Sequence, residues 1–170
     1  MHPKYLRSLL LLGTLLCTPI FLSVCQINNP IADPKAVVTS GDARFTILTP
    51  QLIRMEWSEN ATFEDRASLV FTNRSLPVPT FQKSEDGGWI VLRTEKLTLR
   101  YKMGSGKFGQ DNLEITLNLN GRTVTWHPGL QDRGNLKGTI RTLDGVKGAT
   151  ALEPGLLSRD GWAVIDDSER

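Results

Sequence analysis

Residues 135–168 hold most of what in this sequence could do chemistry. Arg141, Asp144, Arg159, Asp160, Trp162, Asp166 and Asp167 fall among Gly138, Gly145, Gly148, Gly155 and Gly161, with Pro154 between. Carboxylates and guanidiniums beside an aromatic ring are the groups that grip hydroxylated ligands, through charge-assisted hydrogen bonds and an apolar platform. The glycines exclude a long helix and let backbone approach closely. Arg159, Asp160, Asp166 and Asp167 are the candidate ligand contacts. The same residues would equally make a loop and hairpin that only close a sheet, with Arg159-Asp160-Gly161 a plain turn and Trp162 a core residue. In an extended chain Asp166 and Asp167 point to opposite faces, so they do not make the facing pair that glycosidic bond cleavage needs. One of the two is expected to cap a turn.

Other chemistries find little support. His127 has no His, Cys or acidic partner at ligand spacing, so no metal site is expected. No glycine-rich loop joins a strand to a helix, and no cofactor motif appears. Of the 20 basic side chains, Lys4 and Arg7 lie near the N-terminus, and the remainder match the 18 acidic ones one for one. That balance argues against a nucleic-acid surface.

The elements that must position these residues read as strands. Phe45 and Ile47, then Ile53, Met55 and Trp57, alternate with polar neighbours across Thr49-Pro50-Gln51, giving a hairpin with one apolar face. Residues 89–92 and 97–101 flank Thr94-Glu95-Lys96 in a second hairpin. Residues 113–119 alternate cleanly and turn at Asn120-Gly121 into residues 122–126, a third. Residues 68–72 read as a short apolar strand, and 155–158 and 162–165 as a strand pair about Arg159-Asp160-Gly161. Pro77 and Pro79 exclude a central strand between them. Short strands with turn signals and no helical period predict an all-β antiparallel β-sandwich or barrel.

Ahead of this domain, residues 1–25 have the layout of a secretory signal peptide: a basic start, an apolar core over 9–16, then Pro19 and Leu22-Ser23-Val24-Cys25. That last tetrad is similar to a bacterial lipobox, with Cys25 the candidate lipid attachment site, although Val24 stands where a small residue is usual. Cleavage after Cys25 fits as well. Both readings make the chain exported, at the cell surface, periplasmic or extracellular, and touching a membrane only through such a lipid. Cys17 and Cys25 both lie in the leader, so the domain has no disulfide and depends on its core. Residues 26–35, with Asn29-Pro30 and Asp33-Pro34, read as a linker, and 36–170 as the domain.

Several stretches carry a resemblance. Arg44-Phe45-Thr46-Ile47-Leu48-Thr49-Pro50, Leu52-Ile53-Arg54-Met55-Glu56-Trp57 and Phe63-Glu64-Asp65-Arg66-Ala67-Ser68 resemble the opening of bacterial glycoside hydrolase family 31 enzymes. Residues 135–145 and 155–168 resemble them more closely, and the likeness runs from about Ala43 to Ser168. It implies a galactose-mutarotase-like β-sandwich that precedes a (β/α)₈ catalytic barrel in α-glucosidases and α-xylosidases. It implies carbohydrate and the barrel as partners, and a loop lent to the sugar site. It assigns the nucleophile and the acid/base to the barrel, so no residue here inherits a catalytic role. A free-standing carbohydrate-binding module, which would expose aromatics on one sheet face, and a purely structural β-sandwich are the alternatives.

Overall fold

The computed structural model describes residues 28–68, 70–119, 121–138 and 144–168. The expected leader with Cys25, Asn120 of the third hairpin and Arg141 lie outside the described residues. A short 3-10 turn, Pro34–Ala36, is capped by Asp33, whose carboxylate accepts from the Lys35 N–H at 2.8 Å. Eight strands follow: β1 (Val37–Ser40), β2 (Ala43–Thr49), β3 (Leu52–Trp57), β4 (Gln82–Asp86), β5 (Trp89–Arg93), β6 (Leu97–Lys102), β7 (Leu113–Leu119) and β8 (Arg122–Trp126). They form two wholly antiparallel sheets, β1-β2-β3 and β4-β5-β6-β7-β8, each in sequence order.

The apolar alternation dictates the core. Phe45 opposes Met55 and Ile47 opposes Ile53 in the β2–β3 register. Phe45 and Ile47 from one sheet join Ile90, Leu92, Leu99, Tyr101 and Leu113 from the other in a single buried cluster. The ring of Phe45 lies 5.5 Å from that of Tyr101 and 5.7 Å from that of Phe108. The Tyr101 hydroxyl is satisfied by the Gly106 carbonyl at 2.7 Å, as a buried phenol requires. Thr94 closes the β5–β6 hairpin by accepting from the N–H groups of Lys96 and Leu97 through its hydroxyl.

Two local expectations are corrected. The described part of 68–72 forms no strand; the Ser68 hydroxyl accepts from the Phe71 N–H instead, at 3.0 Å, and makes a turn. Residues 155–158 and 162–165 do not pair. The turn at 158–161 exists, with the Gly161 N–H on the Ser158 carbonyl, but the first arm meets residues distant in sequence, through the bridge Asn135↔Ser158 and the Leu136 N–H on the Leu157 carbonyl, with a second bridge, Gly138↔Glu153, just ahead of it. The β2–β3 hairpin turns its expected apolar face, Phe45, Ile47, Ile53, Met55 and Trp57, to the core, and Arg44, Thr46 and Leu48 on the other face of β2 are buried too. Residues 28–35, expected as a linker, carry Asn29, whose carbonyl accepts from the Arg74 N–H at 2.7 Å.

Phe45→Ala should destabilise the protein by about 3–5 kcal/mol, because a fully buried aromatic is removed from contact with both sheets. Leu52→Ala, at an exposed strand end, should cost less than about 1 kcal/mol. Urea unfolding of the two variants checks the difference; equal losses would mean that Phe45 is not central to the core.

Candidate functional site

A groove of about 1320 Å³ opens between β3 and the segment 161–168. Every residue of 51–58 lines one side and every residue of 161–168 lines the other, with Phe108, Ile115, Leu117 and Trp126 among its apolar residues. Trp162 packs against the core edge-on to Trp126, with ring centroids 6.4 Å apart. Gly161 precedes it at φ +78, and a Cβ there would stand 2.6 Å from Leu119 Cδ1. Both the left-handed backbone and the close approach call for glycine.

Three arginines gather beside β3. Arg44 Nη2, Arg54 Nη1 and Arg74 Nη1 all donate to the carbonyl oxygen of Glu64, at 3.2, 3.0 and 3.1 Å. Glu56 takes Arg44 Nε at 2.7 Å and Arg54 Nη1 at 2.8 Å, and Asp65 takes Arg44 Nη1 at 2.8 Å. Burial opposes the charge on Arg44, but Glu56 and Asp65 outweigh it and raise its pKa. Burial, followed by the like charges of Arg74 and Arg44, lowers that of Arg54 despite Glu56 and Asp167. Arg74 is 2 % exposed. Its other contact is Nη2 to the Arg66 carbonyl at 2.8 Å, and among the described residues no carboxylate lies within ion-pair distance. Its Nε, the Trp57 Nε1 and the Asp167 Oδ1 are buried without a hydrogen-bond partner, and all three residues line the groove.

The candidate residues of the sequence do not converge. Asp167 Oδ2 accepts from the Ser68 hydroxyl at 2.6 Å, tying the C-terminal segment to the 63–71 loop. Asp166 Oδ1 accepts from the N–H and hydroxyl of Ser168, so this is the aspartate that caps a turn. Asp160 lines a separate, smaller groove of about 670 Å³ with Arg122 and His127, and its Oδ2 accepts from the Gly134 N–H at 3.0 Å. Arg159 is exposed, its own N–H bonded to the Gly134 carbonyl. Asp144 and the rest of 144–150 sit on the surface.

What organises 132–160 is a polar knot centred on Asn135. Its side-chain oxygen accepts from the N–H groups of Lys137 and Gly155, both at 2.8 Å, and its amide donates to Asp132 at 2.8 Å and the Gly155 carbonyl at 3.0 Å. The Ser158 hydroxyl donates to Asp132 at 2.6 Å. Desolvation pushes the Asp132 carboxyl upward, but the hydrogen bonds from Ser158 and Asn135 outweigh it and lower its pKa. The close approach that glycine permits is to the chain itself: a Cβ on Gly155 would lie 2.7 Å from the Lys137 carbonyl oxygen. Sequence reasoning missed Asn135, Asp132 and Arg74. An Asx-type signal at Asn135 was present, whereas nothing local marks Arg74 as buried.

Among the described residues no group of three His, Cys, Asp or Glu side chains is placed to hold a metal ion. No protein-family model matches the chain, and no curated protein matches it.

Asp160→Ala should lower stability by about 1.5–3 kcal/mol, the loss of a charge-assisted bond to a backbone donor, whereas Arg159→Ala should stay within about 0.5 kcal/mol. Paired thermal melts check this. At Glu64 the side-chain and backbone hydrogen bonds from Arg66 hold the carboxyl down at about 2, against an ordinary 4.5. Its contribution is therefore complete above about pH 4.5 and lost as pH falls toward about 2. Both side chains are solvent-exposed, so salt should weaken it. Melting temperatures from pH 5 to 2 should fall more steeply for the parent than for Arg66→Ala at low salt; parallel curves would remove this pair from the account.

Proposed function

We propose that this chain is the non-catalytic N-terminal domain of an exported retaining α-glycosidase of the family 31 type, a galactose-mutarotase-like β-sandwich that packs on a catalytic barrel. Carbohydrate hydrolysis belongs to the whole enzyme, and the two acting aspartates to the barrel. The reading rests on the resemblance of residues 43–168. The observation that carries it furthest is the exposure of large apolar side chains in the most similar stretch. Leu156 and Leu157 are 68 % and 69 % exposed, and Leu136, Leu152, Val164 and Ile165 are exposed as well. Exposed leucines of this kind are what a docking face presents before its partner covers it. They accompany a backbone made firm by the Asn135 knot, which suits a contact surface better than a mobile arm.

In this reading Arg159 is the polar group best placed for a sugar or a barrel residue, since its side chain is exposed. Asp160, Asp166 and Asp167 act mainly by holding the segment in shape, because each already accepts a hydrogen bond. A free-standing carbohydrate-binding module is less well supported. Trp126 is buried, Trp57 and Trp162 are half-buried against the core, and Trp89 is stacked by Arg100 at 5.0 Å, so these rings do not form an open platform.

The purified chain is expected to turn over neither an aryl α-glucoside nor an aryl α-xyloside, and to bind a hydrophobic dye. The variant with Leu156→Ser and Leu157→Ser should keep the fold and lose much of the dye signal. A separately expressed family 31 barrel should capture the parent and not this variant. Hydrolysis by the isolated chain after removal of contaminants, or equal capture of parent and variant, would overturn the proposal.

A further inference from the structure

The open side of β3 supports an inference that stands whether or not the chain belongs with the glycosidases. The Ser58 N–H donates to the Asp42 carbonyl at 2.9 Å, and this contact fixes the hydrogen-bonding phase of the β2–β3 ladder. In an antiparallel pair the bonded positions alternate. Arg54 and Glu56 therefore turn their N–H and C=O groups toward β2, and Ile53, Met55 and Trp57 turn theirs the other way. Among the described residues no strand lies on that side, since β3 ends its sheet.

Across the groove Trp162, Ala163, Val164 and Ile165 run without a backbone hydrogen bond to any other described residue. Two stretches of unpaired main chain thus face one slot with apolar side chains beneath it. Ile53, Met55 and Trp57 pack against the core yet remain only partly buried, whereas Phe45 and Ile47 opposite them are fully buried. What β3 lacks is a neighbour on its outer side. The three residues with a buried unpartnered side-chain atom, two donors and one acceptor, all line the same groove. A single anion would suit the donors and be repelled by Asp167. A peptide backbone presents acceptors and donors together.

We propose that the groove between β3 and 161–168 is a slot for one extended strand of a partner polypeptide, added antiparallel to β3. Its residues opposite Ile53, Met55 and Trp57 are apolar and point between the sheets. Its alternate residues lie on the face of β3 that carries Arg54 and Glu56, and a hydroxylated side chain suits that pair, because a hydroxyl both donates and accepts. Main-chain bonds supply affinity in this mode of recognition and the alternating side chains supply selectivity. A second copy of this chain fits less well, because 161–168 forms the opposite wall and leaves room for a strand rather than for a whole domain.

The test is calorimetric titration of the intact chain with the capped heptapeptide acetyl-Glu-Val-Thr-Val-Thr-Val-Glu-amide. Its three valines are placed to oppose Ile53, Met55 and Trp57. Saturable binding is expected, weakened at least about tenfold when the three valine amides are N-methylated, since this removes the donors to β3 and keeps the side chains. Met55→Pro should weaken binding similarly, because that N–H makes no bond within the sheet. The N-methylated peptide tests the same point on the unaltered protein should the proline variant fail to fold. Equal binding of the two peptides, or no binding of either, would overturn the proposal. So would displacement of the peptide by maltose or xylose, or a stable dimer in sedimentation that Met55→Pro dissociates.

Discussion

Three guanidinium groups meet at the carbonyl oxygen of Glu64, and the arrangement of the groove depends on that meeting. A buried cation is tolerated only where hydrogen bonds and opposite charge replace its water. Arg44 and Arg54 find both, in Glu56 and Asp65. Arg74 finds two backbone carbonyls. To supply them, residues 63–68 must lie across the outer face of β3. That position puts Ser68 within reach of Asp167 and draws the C-terminal segment to the far side of the groove. One carbonyl thus links the buried face of the first sheet, the loop over it and the second wall of the slot.

The second constraint is the knot at Asn135. Its amide makes bonds to both neighbouring chain segments, and Gly155 must be glycine for the two to come so close. The polar residues around it, Asp132, Ser158 and Asp160, are satisfied by one another and by backbone. Their effect is to hold exposed leucines on a fixed backbone. The richest cluster of ligand-type residues in the sequence is therefore mostly a structural device, and the surface it presents is apolar.

Much of the fold was legible because burial imposes a period of two. The hairpins β2–β3, β5–β6 and β7–β8 follow from alternation and turn residues. Strand β4 was not legible: Gln82, Lys83, Ser84, Glu85 and Asp86 are all exposed, so neither face writes an apolar pattern, as befits the edge of a sheet. The turn at Arg159-Asp160-Gly161 was legible and its consequence was not, because a local signal says that the chain reverses without saying which strand it then meets. Ser68, Phe71 and the residues around them looked strand-like by composition, yet the Ser68 hydroxyl captured the backbone locally. Of Asp166 and Asp167 the sequence said that one would cap a turn and the other face solvent or a ligand; the cap is Asp166, and Asp167 is instead tied to Ser68. The sequence held no sign that Asp160 would be tied to Gly134, a contact between segments far apart in the chain.

The central claim is that β3 carries an open hydrogen-bonding edge beside an apolar slot. Amide hydrogen exchange of the free protein, read residue by residue, tests it most directly. Protection should alternate along the strand, with Arg54, Glu56 and Ser58 slow and Ile53, Met55 and Trp57 fast. Uniform slow exchange across all six, in a protein shown to be monomeric, would mean that the edge is already covered and would contradict the account.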